Sequence, residues 1–374
     1  MIYLDSAATS MQKPAAVLAA MRRAMGTMAS PGRGSHKPAM LAADEVLKCR
    51  EVLAKLFNAG EPEQIVFTMN ATHGLNIAIN SLMKKDSRVV ISGYEHNSVT
   101  RPLKALGANI QVASSPLFDT EEAVKAFERA LPGADFAVCC HVSNVFGYIL
   151  PVDRISELCR ANSVPLIIDA SQSAGVLEID AEKLGARFVA MPGHKGLLGP
   201  QGTGVLISAG EHPKPLMYGG TGSESKLQGM PDFLPDRLEA GTHNITGIAG
   251  LCAGAEHVMS LTAEKIRGHE QMLLTHMARG IKDIPGVKLY KAEKPEVQSG
   301  VLSVSVEGIS CESVAGALGD RGVAVRAGMH CSPLAHETAG TIDGGTIRFS
   351  FSPFNTPGEI CTACRLFKDV IKKM

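Results

Sequence analysis

Leu166-Ile167-Ile168-Asp169-Ala170-Ser171-Gln172-Ser173 opens with a short run of branched apolar residues that stops on an acid. A run of that length bounded by small polar residues reads as a buried strand. Similar runs lie on either side of it: Ile65-Val66-Phe67, Arg88 to Ile91, Phe136 to Cys139, Phe188-Val189-Ala190 and Val205-Leu206-Ile207. Between several of them the apolar spacing changes to three and four, as in Thr72 to Lys84 and Thr120 to Leu131, which predicts helices. Strands alternating with helices predict an α/β domain with a mostly parallel central sheet and helices on both faces. After Gly250 the texture changes to one long helical stretch, about Leu251 to Lys282, and then to strands near Val287 and Val301. A helix over Cys311 to Leu318, a strand at Val323-Ala324-Val325 and a last helix from Pro357 complete a smaller α+β part. The expected division is a large domain over 15–255 and a small domain made of 1–14 and 256–374, packed directly because no Pro/Ser linker separates them.

The chain has 374 residues, enough for one large core and a second, smaller one. Lys+Arg and Asp+Glu are both 37, so the formal net charge is +0 and the broad positive field of a nucleic-acid binder is not expected. Hydrophobic residues at 45% and charged residues at 20% are those of a folded globular protein. The start, Met1-Ile2-Tyr3-Leu4-Asp5, has no basic stretch with an apolar core behind it, and no apolar run reaches spanning length. A cytoplasmic protein without membrane contact and with a small-molecule substrate is expected. Nine cysteines are scattered without a pairing pattern, so most are expected to be reduced. Cys361 and Cys364 form a single CxxC in the last helix, read either as helix packing or as a weak metal or redox signal; no metal is expected.

Chemistry enters with Met191-Pro192-Gly193-His194-Lys195-Gly196, one lysine in a glycine-rich turn just after a strand. Shielded there, its amine would lose its proton easily and suit Schiff-base chemistry; exposed, it would be an ordinary turn residue. Asp169, at the end of a buried strand, is either a helix cap or the partner of a buried cation such as a pyridinium nitrogen. Asn70-Ala71-Thr72 follows the strand at Ile65 and opens a helix, a place where backbone N–H groups hold phosphate. His96 follows the strand ending at Ser92, and Cys331 lies close to glycine in Arg326-Ala327-Gly328-Met329-His330-Cys331. Taken singly, that histidine and that cysteine read more readily as structural.

Together these segments resemble a known family. Glu95-His96-Asn97, Asp169-Ala170-Ser171-Gln172, Gly193-His194-Lys195-Gly196, Glu239-Ala240-Gly241-Thr242 and Arg326 to Cys331 stand in the order found in class V aminotransferases of pyridoxal-phosphate (PLP) fold type I. Within that family the chain resembles the cysteine desulfurases, nearer the group II branch that includes selenocysteine lyase-like enzymes. The likeness runs from Tyr3 to Asn355. It implies that Lys195 holds PLP as a Schiff base, His96 stacks on the ring, Asp169 pairs with the ring nitrogen and Gln172 reaches the ring hydroxyl. Ala71, Thr72 and His194 would bind the phosphate, with Thr242 reaching it from the partner subunit of a homodimer with shared sites. Asn144 would lie beside cofactor and substrate carboxylate, Arg348 would clamp that carboxylate, and Arg326 would assist.

The resemblance makes Cys331 the nucleophile that takes sulfur from cysteine as a persulfide, leaving alanine, and passes it to an acceptor protein or a small thiol. Arg326 and His330 are expected to hold the Cys331 thiol's pKa down. The chain departs from the pattern at Ser6, His73, Pro192 and His243, which leaves substrate preference open between cysteine and selenocysteine. A nucleotide-dependent oxidoreductase is the rival from another class, but the chain has neither G-x-G-x-x-G after an early strand nor a Walker-type loop.

Overall fold

A computed structural model describes residues 1–31, 34–210 and 212–374. Seven strands form the central sheet, in the order Ile65–Thr68, Gly204–Ser208, Phe188–Pro192, Leu166–Asp169, Phe136–Cys140, Arg88–Ser92 and Asn109–Ala113. Gly204–Ser208 runs antiparallel to both neighbours, and every other pairing is parallel. The sheet is buried on both faces. Ile65, Val90, Ala137, Ile168, Val189 and Ile207 belong to one apolar cluster, while their neighbours Val66, Val89, Val138, Ile167, Phe188 and Leu206 belong to another. That alternation is why these strands read as continuous apolar runs. The edge strand Asn109–Ala113 was not expected, because only Ala113 is buried and its residues alternate in polarity.

Because the parallel strands point one way, the loops after Thr68, Ser92, Cys140, Asp169 and Pro192 all open on one edge of the sheet, the usual place for a ligand in such folds. The first of these loops leads into helix Ala71–Leu82, whose cap Asn70 accepts the His73 N–H at 2.9 Å.

A second, antiparallel sheet runs Arg326–Gly328, Thr346–Ser350, Val301–Val306, Val287–Tyr290. Leu4, Leu273, Met277, Leu302, Phe349 and Phe367 share its apolar cluster, with helices Ala263–Ile281 and Pro357–Ile371 packed together. The first residues return to this part, Ile2–Tyr3 pairing with Val323–Ala324. The expected strand over 323–325 forms as Val323–Ala324, which serves the N-terminal segment, and a separate strand, Arg326–Gly328, joins the four-stranded sheet.

The long helix expected over 251–282 is two helices, Ile245–Leu261 and Ala263–Ile281. Thr262 turns left-handed with φ 69° and its side chain accepts the Lys265 N–H at 3.4 Å, so it ends one helix and caps the next. Apolar spacing continues across the break, and a period cannot register a single residue that changes direction.

Glu239, buried, binds Arg50 through both oxygens at 2.9 and 2.6 Å and meets His243 Nε2 at 2.6 Å. Burial raises its pKa, but Arg50's charge and the bonds from His243 and Arg50 prevail and leave it below the usual carboxylate range. Its stabilising contribution is therefore present above the unfolded carboxylate range and lost as pH falls through the folded value. Glu239→Ala strands the Arg50 charge and should cost about 3–5 kcal/mol in urea unfolding at neutral pH. A loss within error of wild type would refute the network's role.

Candidate active site

A cavity of about 530 Å³ opens at the C-terminal edge of the central sheet, with Lys195, Asp169, His96 and Thr72 on its wall. Ala71, Asn144, Gln172 and His194 also line it. These eight residues, spread over more than a hundred positions, thus meet as the sheet order dictates. The Lys195 turn is sterically shaped: a Cβ on Gly193 would lie 2.1 Å from Thr203 Oγ1, and one on Gly196 would lie 2.3 Å from Ala174 O. Only glycine lets the strand end, lysine and following turn approach so closely.

Burial pushes the Lys195 amine down to about 8; Asp169 opposes that shift and Arg348 adds to it. The amine is thereby brought near neutrality, as Schiff-base chemistry requires. Asp169 accepts the Ser171 N–H at 2.9 Å through one oxygen. His96 caps helix Asn97–Ala105, its Nδ1 accepting the Ser98 N–H at 3.0 Å, so the neutral ring carries its proton on Nε2. Burial lowers its pKa, with Asp169 opposing and Lys195 adding. His194, pushed down to about 4 by burial and then by Lys195 and Lys13, is a neutral hydrogen-bonding group at physiological pH, with Nδ1 3.0 Å from Thr9 Oγ1. Gln172 gives its amide to Ala7 O at 2.9 Å.

The Cys331 loop is held against this cavity from the other part of the molecule. His330 and Cys331 are both left-handed, with φ 49° and 58°, an uncommon state for such residues, and the thiol is exposed. Three bonds strap the loop down: Asn97 N–H to Cys331 O at 2.9 Å, Asn144 amide to His330 O at 2.8 Å, and Ser332 hydroxyl to Asn144 Oδ1 at 2.7 Å. Asn144 therefore serves the loop with its side chain. Arg348 is 2% exposed, donates to Asn144 O at 2.9 Å and to Asp5 Oδ1 at 2.8 Å, and keeps Nε without an acceptor. Arg326 pairs with Arg348 across two strands but is exposed and outside the cavity wall.

His330 does not meet its expectation as a cation beside the thiol. Burial and then Arg348 push it down to about 2, and its Nε2 turns to Thr346 at 3.1 Å. Thr242 also stands apart, exposed beside Met69 and His243 on another cavity of about 720 Å³. Sequence reasoning missed Ser98, which stands 3.0 Å from Thr72 Oγ1 and 2.7 Å from His96 Nδ1 and so links two cavity residues. Its signal was its place directly after Glu95-His96-Asn97. Asp5, on Arg348, gave no signal, since its partner lies 343 positions away.

The family model described as "Aminotransferase class-V" matches residues 2–362. This chain belongs to the class-V aminotransferase family. Among its relatives, a probable cysteine desulfurase of Pyrococcus abyssi is 30% identical over 385 aligned positions, covering 100% of this chain and 95% of that protein. The apo structure of a cysteine desulfurase from Thermococcus onnurineus superposes with TM-score 0.92 at 29% identity, over 100% of this chain and 95% of that one. The Escherichia coli cysteine desulfurase CsdA, solved as an S-sulfonic acid, gives TM-score 0.87 at 25% identity, with coverage of 100% and 95%. The α/β body with a mostly parallel sheet is the one expected from the alternating strands and helices, and the fold type I architecture is the one that the resemblance implied. Among the described residues no helix is long and apolar enough to cross a membrane.

Proposed function

We propose that this chain is a PLP-dependent cysteine desulfurase that converts cysteine to alanine and leaves the sulfur on Cys331 as a persulfide. The observation that carries the reading is one cavity that gathers Lys195, Asp169, His96 and the start of helix Ala71–Leu82, with an exposed thiol strapped to the same sheet edge. The naming of relatives along the whole chain supports it.

The residues present suit PLP. The cavity is lined by a lysine, a carboxylate, two imidazoles, amides and hydroxyls. Asp169 would hold the ring nitrogen's proton, Gln172 the ring hydroxyl and His96 the ring face, while Lys195 would bind covalently. Ala71 and Thr72, whose N–H groups begin a helix and so lack intrahelical acceptors, would take the phosphate with His194. When bound, PLP supplies a carbonyl for the substrate amine and a ring that accepts electrons from Cα.

Arg348, with Arg326 and Asn144 nearby, would seat the substrate carboxylate. Lys195 would carry the proton at Cα. The Cys331 thiolate would attack the substrate sulfur: an S–S bond forms, the C–S bond breaks with its electron pair left on carbon, carbon takes a proton, and alanine leaves. A second thiol, on an acceptor protein or a small reductant, would then remove the sulfur.

The test is a panel of cysteine, selenocysteine and cysteine sulfinate with the PLP-loaded protein, following alanine together with sulfide or selenide. Cysteine should give alanine and, with a thiol reductant, equal sulfide. No alanine from any of the three would overturn the reading, while turnover confined to selenocysteine would make the enzyme a lyase for that amino acid.

A shared dimer site accompanies this reading: Thr242 would complete the phosphate site of a second copy. Exposed apolar side chains support a partner, with Leu18 and Met25 on helix Ala15–Thr27, Met40 and Leu47 on helix Lys37–Phe57, and Met69 beside Thr242. Sedimentation should show a dimer, and Thr242→Ala should weaken PLP retention. An active monomer at assay concentration would refute the shared site and leave the chemistry standing.

A further inference from the structure

Behind Lys195 lies a second, small cavity, walled by Ser6, Ser299, Ser352, Gly300 and Glu270 as well as by Lys195 itself. Glu270, on helix Ala263–Ile281, is 6% exposed, and among the described residues its carboxyl has no hydrogen bond and no ion pair. Its place is built: a Cβ on Gly300 would lie 2.6 Å from Glu270 Oε2, so glycine there makes room for the carboxyl. A second polar atom on the same wall, Ser6 Oγ, is also buried without a partner. An isolated carboxyl withdrawn from water is costly unless a proton or a cation accompanies it. Lys195 makes no ion pair with it, and a bound cofactor would engage that amine.

We propose that this cavity is a monovalent-cation site, in which Glu270 and the surrounding hydroxyl oxygens take potassium or an ion of its kind. One carboxylate balances one positive charge, whereas the divalent sites of proteins gather several carboxylates around the ion. Hydroxyls and carbonyls supply the remaining oxygens a hard cation needs. Burial alone pushes Glu270 up to about 8, so the ion binds more tightly as pH rises through that value. The other titratable groups nearby are Lys195 across the cavity, Lys13 bonded to Ser10, and Arg267 one turn back, whose Nη2 is held by Glu296 O at 2.7 Å. A cation here also repels a proton on Lys195, favouring the neutral amine.

Ion binding at this site does not depend on the reaction, so binding is measured rather than turnover. Potassium chloride, against choline chloride at equal ionic strength, should raise Tm saturably at pH 8.5 and less at pH 6.5, and Glu270→Gln should abolish the difference. Equal Tm in potassium and choline, or an unchanged potassium effect in Glu270→Gln, overturns the site. Should that variant not fold, wild-type crystals soaked in thallium(I) decide: an anomalous peak beside Glu270 is expected, and its absence at saturating thallium refutes the proposal.

Discussion

Lys195→Ala should leave a protein that folds, binds PLP loosely and releases no measurable alanine from cysteine. The side chain stands in the cavity wall, and its turn is shaped by Gly193 and Gly196 rather than by the lysine, so truncation leaves the local backbone undisturbed. Loss of a positioned proton carrier alone removes roughly 10²–10⁴ in rate, and loss of the covalent link adds to that. Borohydride should fix PLP to wild type at Lys195 and leave the variant unlabelled. Because the neutral amine is the nucleophile and burial holds Lys195 at about 8, capture of PLP by the apoprotein should quicken as pH rises through that value. Full alanine release by Lys195→Ala would remove this lysine from the chemistry.

Cys331→Ala should be nearly as severe with cysteine, yet selective. The strap on the loop is made by Cys331 O, His330 O and Ser332, all kept in the variant, so the loop geometry and PLP binding should survive. Alanine release from cysteine should fall by roughly 10²-fold or more, about 2.7 kcal/mol of barrier, as kcat with KM little changed. Selenium is a better leaving group, and selenocysteine should retain measurable turnover. Undiminished cysteine turnover would show that Cys331 is not the sulfur acceptor.

Six strands of the central sheet, its mostly parallel sense and the edge on which the loops gather were legible from apolar runs and the spacing between them. Strand ends and glycines marked the positions of Lys195, Asp169 and His96, but their roles and that of Cys331 came from the motifs of the resembled family, since each alone reads as well as a cap, a turn or a core residue. What lay across long separations was not. The Arg348–Asp5 pair and the Asn144 strap on the Cys331 loop join residues 343 and 186 positions apart, and no local pattern carries such a pairing. Protonation was equally out of reach: His330 looked like a cation beside a thiol, but burial made it neutral, just as burial alone raised Glu270. Desolvation depends on every element packed around a group, so residue identity came from the sequence and charge state from the packing.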